Sequence, residues 1–296
     1  MAAPRGSVRF VDVIPTLQAL HPQDVGGRVT VVVDVLRATS TIVTALSSGA
    51  AEVRPAATPE EARAKFKRLA AARGGSDTLL LGGERLGLRI EGFDLGNSPL
   101  EYTPQAVTGK TILLATTNGT KTLRRAAGRR PSRAAPQAAP ASRVIVAAFL
   151  NARAVADVLA HSDESVVIAC AGTRGGFSLE DVLLAGLLVG ELQRRGRGEL
   201  VFRDLARAAA ALYRSLAGSD GENLARAVAD SDHARYLTGL GFAADVAYCA
   251  RLDVTTLVPE YRGGRVRAGG RTSWFELGGT PGKTGRPPST CGPPRV

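Results

Sequence analysis

The chain has 296 residues, with 38 Lys and Arg against 27 Asp and Glu, 44% hydrophobic residues and only 5% aromatic ones. That is enough chain to bury a full core, and one built mostly of Ala, Val and Leu suits α/β layers. No apolar run reaches membrane-spanning length and MAAPRGSVRF lacks a signal peptide's apolar stretch, while Cys170, Cys249 and Cys291 are scattered without metal-ligand spacing; a membrane protein and a disulfide framework are argued against, and a cytoplasmic protein is expected.

In chain order, RVTVVVDV (28–35) is a β-branched run of strand length, and TSTIVTALSSG follows as a helix with Thr39 or Ser40 near its start and Gly49 as its stop. AEVRPA (51–56) reads as a strand. Thr58-Pro59-Glu60-Glu61 then opens a helix to about Arg73, with Thr as cap, Pro in the first turn and Glu at the third position. TLLLG (78–82) is the next strand. Gly82 to Tyr102 shows no regular pattern but carries Glu84, Arg85, Glu91, Asp94, Asn97 and Glu101. A polar loop of this length at a strand end is a functional signal. Leu86, Ile90 and Phe93 are expected to anchor it. KTILLATT (110–117) is a strand and NGTKTLRRA turns into a helix.

A Pro/Ala/Arg-rich insert (128–142) separates this half from a second alternation: VIVAAFL (144–150) as strand, ARAVADVLA as helix, SVVIACAG (165–172) as strand and LEDVLLAGLLVGELQRRG as a long helix. The apolar stretch 182–190 of that helix looks exposed and, with the low aromatic content, points to a homo-oligomer. Helices follow at about 202–217, 221–230 and 232–252, then TTLVPEYRGGRV as an edge strand, with little fixed structure from Gly263 onward. The expected organisation is an α/β protein of two three-layer α/β/α domains with parallel or mixed sheets. These are residues 1–127 and 143–265, separated by the insert and followed by a disordered basic tail, 266–296.

The net charge of +11 sits in two places. Residues 121–143 hold seven basic residues and no acid, and residues 263–296 hold six basic residues and Glu276, which leaves −1 for the rest. Neither segment interleaves aromatics for base stacking, so both read as solvated low-complexity chain and no nucleic-acid partner is expected.

The chemistry gathers at strand ends. Asp34 ends the VVV strand and leads through Arg37 to Thr39 and Ser40 at a helix start, where free N–H groups and the macrodipole favour anions. A simple helix cap is the equally weighted reading. Phospho-aspartate phosphatases would need a second Asp where Leu36 stands. TTNGTK (116–121) can wrap an anion, although Asn-Gly is also an ordinary turn. In AGTRGGFSLED (171–181), Ser178 and Asp181 fit a capping box, whereas Glu180 is unexplained by one. His21, His161 and His233 share no motif logic, and His233 beside Asp232 reads as a surface pair. Hard oxygen groups, anion-wrapping loops and arginines together suit Mg²⁺ and a small phosphorylated substrate.

DVLRATST (34–41), GGERLGLRIEGFDLGNSPLEY (82–102), TTNGT (116–120), AGTRGGFSLED (171–181) and CARLDVTTLVPEY (249–261), in this order, resemble the 2-phosphosulfolactate phosphatase family over roughly residues 8–265. The resemblance implies two α/β domains and a Mg²⁺-dependent acid phosphatase. Such an enzyme converts (2R)-2-phospho-3-sulfolactate to 3-sulfolactate and phosphate, a step of coenzyme M or sulfolactate biosynthesis. It implies catalytic roles for Asp34, Arg37, Glu84 and Asp94, and Mg²⁺ ligands among Asp34, Glu84, Asp94 and Glu180. Substrate contacts would come from Ser40, Arg85, Asn97, Thr116, Thr117, Asn118, Gly119, Thr120, Asn151 and Arg174. Attack by water and an aspartyl-phosphate at Asp34 both remain open. The insert and tail are longer than the family pattern, and VIVAAFLN departs from its small-residue version. The competing expectation is a non-catalytic binding protein for an acidic phosphorylated metabolite.

Overall fold

The computed structural model describes residues 8–128, 139–195 and 198–269. The chain runs β1 (Arg9–Ile14), α1 (Pro22–Val25), β2 (Val29–Val33), α2 (Ala38–Ser47), β3 (Glu52–Ala56), α3 (Pro59–Arg73), β4 (Leu79–Arg85) and β5 (Leu88–Arg89). It continues through α4 (Pro104–Val107), β6 (Thr111–Ala115), α5 (Gly119–Ala126), β7 (Arg143–Ala147), α6 (Ala152–Ala160), β8 (Val166–Cys170) and α7 (Leu179–Arg195). Then come β9 (Leu200–Phe202), α8 (Asp204–Ala217), α9 (Leu224–Ala229), α10 (Asp232–Gly239), α11 (Ala243–Cys249), β10 (Pro259–Arg262) and β11 (Arg265–Ala268).

The α/β class holds, but the strands form one mixed sheet in the order β5-β4-β6-β3-β11-β10-β7-β2-β8-β1-β9. Two parallel groups, β4-β6-β3 and β7-β2-β8-β1-β9, are joined by the antiparallel hairpin β10–β11, which pairs with β7 on one side and β3 on the other. β1 and β2 therefore lie in the group with the later strands, and the sheet has no break matching a boundary at 127/143. The physical reason is pairing: β2 is buried along its whole length and is bonded to both β7 and β8. The segment expected at a sheet edge is this central hairpin, and β11 extends regular structure to Ala268, past the expected start of the tail.

Helices α2 and α5 touch strands of both parallel groups, and one buried cluster joins Ile112 and Leu114 of β6 to Val32, Val144 and Val146 of the other group. A larger cluster lies under α6, α7 and α8, and a small one under α3. The apolar stretch of α7 is buried within the chain, because α8 lies against it so closely that a Cβ on Gly186 would run into the Ala209 carbonyl. That stretch leaves no exposed face to point to an oligomer. The helix expected over 232–252 is two, α10 and α11, broken at Leu240-Gly241-Phe242. The Thr58 cap forms as expected, its hydroxyl accepting from the Glu61 N–H at 3.2 Å. No helix among the described residues is long and apolar enough to cross a membrane. Cys170 and Cys249 are buried free thiols.

Candidate active site

The ends of β2, β4, β6 and β8 lead into loops that surround one cavity of about 570 Å³, a size typical of small-ligand sites. Cross-ties hold the loops together. The Glu84 carboxylate accepts from the Thr117 N–H (2.7 Å), the Thr117 hydroxyl (2.8 Å) and the Gly87 N–H (3.0 Å). Asn118 donates to the Gly172 carbonyl at 2.8 Å. Asp181 accepts from the Val35 N–H (2.8 Å) and the Gly172 N–H (3.1 Å).

Asp34 lines the cavity at the point where β2 hands over to α2, and the Ala38 N–H donates to its carboxylate. The start of α5 comes just as close: a Cβ on Gly119 would stand 2.6 Å from the Asp34 carboxylate. Glycine is required there for two helix N-termini to meet at one acid. Burial pushes the Asp34 carboxyl up to about 6; Glu84 and Glu180 reinforce the shift, while His233 opposes it. Burial, followed by the charges of Asp34 and Glu180, likewise holds Asp181 well above the usual carboxylate range. The capping expectation for Asp181 is replaced by its brace across Val35 and Gly172.

Of the residues expected at the site, Asp34, Arg37, Glu84, Asn97, Thr116, Thr117, Asn118, Arg174 and Glu180 line the cavity. Gly119 and Thr120 stand just behind, with Thr120 bonded to Thr116. The Thr117 and Thr120 N–H groups, expected to wrap an anion, are engaged by Glu84 and by the Thr116 hydroxyl. The others lie elsewhere. Asp94 turns its carboxylate to the Leu81 N–H at 2.7 Å, which shapes the loop and takes it out of the set of cavity acids. Arg85 donates to its neighbour's carbonyl, that of Glu84. Ser40 donates to the Val35 carbonyl within the first turn of α2. Asn151 is fully buried, bonded to Ala148, Val146 and Leu257, and serves the turn after β7.

Some cavity residues carried no signal in sequence. His233 is in the cavity wall and not on the surface, with Nδ1 3.2 Å from the Thr173 hydroxyl and 3.4 Å from Glu180, while Asp232 pairs with Arg235 instead. Tyr236 donates to the Leu86 carbonyl at 3.0 Å and lies 4.9 Å beneath the Arg174 guanidinium. Only the α10 backbone brings His233 and Tyr236 to loops some 60 and 150 positions earlier in the chain. Leu86, expected as an anchor, is 74% exposed on the cavity rim, whereas Phe93 is buried as expected.

The charges do not balance. Five carboxylates line the cavity (Asp34, Glu84, Glu180, Asp230 and Asp232) against three guanidiniums. Arg37 is bound to Asp245 and Arg235 to Asp232, and among the described residues Arg174 alone of the three has no carboxylate partner. No three His, Cys, Asp or Glu side chains among the described residues form a ready metal cage. The donors present are hard oxygens, however. Mg²⁺ characteristically takes one or two carboxylates and completes its shell with waters and phosphate oxygens, so the donor set fits that ion.

A family model described as 2-phosphosulpholactate phosphatase matches residues 14–264. The chain is 37% identical to a probable 2-phosphosulfolactate phosphatase of Clostridium perfringens over 257 residues, covering 87% of this chain and 95% of that protein. It is 38% identical to one of Caldanaerobacter subterraneus over 258 residues, 87% and 98% of the two chains. A third, from Thermotoga petrophila, is 44% identical over 233 residues, 78% and 88% of the two chains.

Proposed function

The chain belongs to the 2-phosphosulfolactate phosphatase family, and we propose that its cavity hydrolyses the phosphate monoester of 2-phospho-3-sulfolactate in a Mg²⁺-dependent reaction. The observation that carries this reading is the excess of carboxylates in a cavity that also offers a free guanidinium. A substrate with phosphate, carboxylate and sulfonate groups would be repelled by Asp34, Glu84 and Glu180 unless a cation came with it.

One or two of those carboxylates would hold Mg²⁺, with waters and phosphate oxygens completing its shell; when bound, the ion polarises phosphoryl oxygens and lowers the pKa of water. Thr116, Thr117 and Asn118 line the cavity at the start of α5 and flank the phosphate there, with the Thr117 N–H committed to Glu84. Arg174, stacked on Tyr236, supplies a planar fork for the carboxylate or sulfonate. Asp34 faces the reacting phosphorus from between two helix N-termini. A hydroxylamine-sensitive phospho-enzyme lost in Asp34→Asn assigns it as nucleophile; its absence favours direct attack by water. A cytoplasmic reaction serving sulfolactate or coenzyme M synthesis belongs to the same reading.

The test is phosphate release from 2-phospho-3-sulfolactate by the purified protein. Release is expected with Mg²⁺, to be abolished by EDTA and restored by added Mg²⁺. No release under any metal condition would favour a non-catalytic binding protein and overturn the proposal.

A further inference from the structure

Arg37 borders the cavity, yet its guanidinium does not hang free. It is 3% exposed, and Nη1 donates to Asp245 Oδ2 at 2.7 Å. Nη2 donates to the Gly87 carbonyl at 2.5 Å, and the group stacks 4.3 Å from the Phe242 ring. Asp245 is itself 2% exposed, and its second oxygen accepts from the Ser98 hydroxyl at 2.6 Å. Ser98 follows Asn97, whose own amide borders the cavity, is 5% exposed and has its oxygen without a partner. The carbonyl of Asn97 accepts from Thr41 of α2 at 2.8 Å. One buried carboxylate on α11 thus grips both a cavity guanidinium and the segment that presents a cavity amide.

We propose that Asp245 is a positioning residue for the reaction, holding Arg37 and Asn97 as one donor–acceptor wall against the substrate. A carboxylate can do this because both oxygens accept. An amide in its place keeps one oxygen for Arg37 but loses the countercharge to the buried guanidinium, and Ser98 can stay bonded only by turning its hydroxyl round to accept from the amide NH2. Removing one partner of a buried pair also leaves the other charge uncompensated and free to relocate.

The inference rests on the cavity being the phosphatase site, and charge provides a discriminating sign. By charge alone, Asp245→Asn removes a negative group near the cavity and should tighten anion binding. By placement, it should weaken it.

The experiment compares wild type, Asp245→Asn, Ser98→Ala, Arg37→Gln and the double variant Asp245→Asn/Arg37→Gln, each with a cooperative melt. Two readouts are used: steady-state phosphate release from 2-phospho-3-sulfolactate with Mg²⁺, and calorimetric titration with inorganic phosphate. The expected result for Asp245→Asn is a KM raised about tenfold or more with kcat changed less, the pattern of lost binding. Phosphate affinity should fall in parallel. Ser98→Ala should show a smaller loss, and the double variant should be no worse than Arg37→Gln alone, since residues acting as a unit are not additive. Unchanged or tighter phosphate binding in Asp245→Asn, or losses that add in the double variant, would overturn the inference. Wild-type protein that binds phosphate but releases none would sink the phosphatase reading, with the calorimetry still deciding on Asp245. Wild-type protein that does neither would sink both.

Discussion

Asp34 shows how one residue's chemistry is set by what surrounds it. Its carboxyl is raised to about 6, chiefly by burial, so the native protein holds a proton there that the unfolded chain releases near its ordinary value of 3.8. The sign follows from linkage: between these values native protein binds more protons than unfolded, so this group's penalty on folding is full above about pH 6 and vanishes below about pH 4. Asp34→Asn removes the penalty. In metal-free protein it is expected to be more stable than wild type at pH 7.5 by up to about 3 kcal/mol, since each tenfold change in proton affinity is worth about 1.4 kcal/mol. The gain should disappear at pH 4, and turnover should fall by roughly a hundredfold or more. Thermal melts of both proteins across that range check it; a gain independent of pH would contradict the assignment.

At the scale of elements, close approach of backbones decides the layout. Helices α7 and α8 meet at Gly186, where an added methyl would strike the Ala209 carbonyl and crowd Tyr213. Gly186→Ala is therefore expected to lower stability by about 1–3 kcal/mol, the usual range for overpacking. KM should be unchanged, because the contact lies outside the cavity lining. An unaltered melting temperature would show that the helices can separate freely. The segment from Gly82 to Tyr102, expected as one irregular loop, begins inside β4 and carries the short strand β5, with Glu84 and Arg85 paired to Arg89 and Leu88; its acids mark it out in sequence, but the roles within it are not written there. Asp94 and Glu84 look alike in sequence; the Leu81 N–H captures the first, while the second is turned towards Thr117 and the cavity. Leu86 likewise looks like an anchor until its carbonyl is seen bonded to Tyr236 with its side chain on the rim.

At the scale of the whole molecule, the hairpin β10–β11 joins the two parallel groups, with Val266 in register with Val53 and Glu260 with Ile145. Ending the chain after Gly269 is expected to leave turnover and melting temperature near wild type. Ending it after Arg265 removes most of β11 and should lower the melting temperature by several degrees or more, since about 1 kcal/mol moves it by roughly 2–4 °C in a chain of this size. Equal melts for the two truncations would mean that the hairpin contributes nothing to joining the groups.

Local sequence was enough for the α/β class, most element positions, the Thr58 cap and the strand-end residues Asp34, Glu84, Thr116 and Glu180 that line the cavity. Each of these is written in a short window, as periodicity, cap chemistry or a motif. Tertiary folding settled that the strands share one sheet, that Asn151 and Asp94 serve the backbone, that His233 and Tyr236 line the cavity, and that Asp245 stands behind it against Arg37 and Ser98. Those outcomes depend on pairing and burial between segments far apart in the chain, such as Asp245 against Arg37, and no local pattern records which distant group a polar side chain will meet.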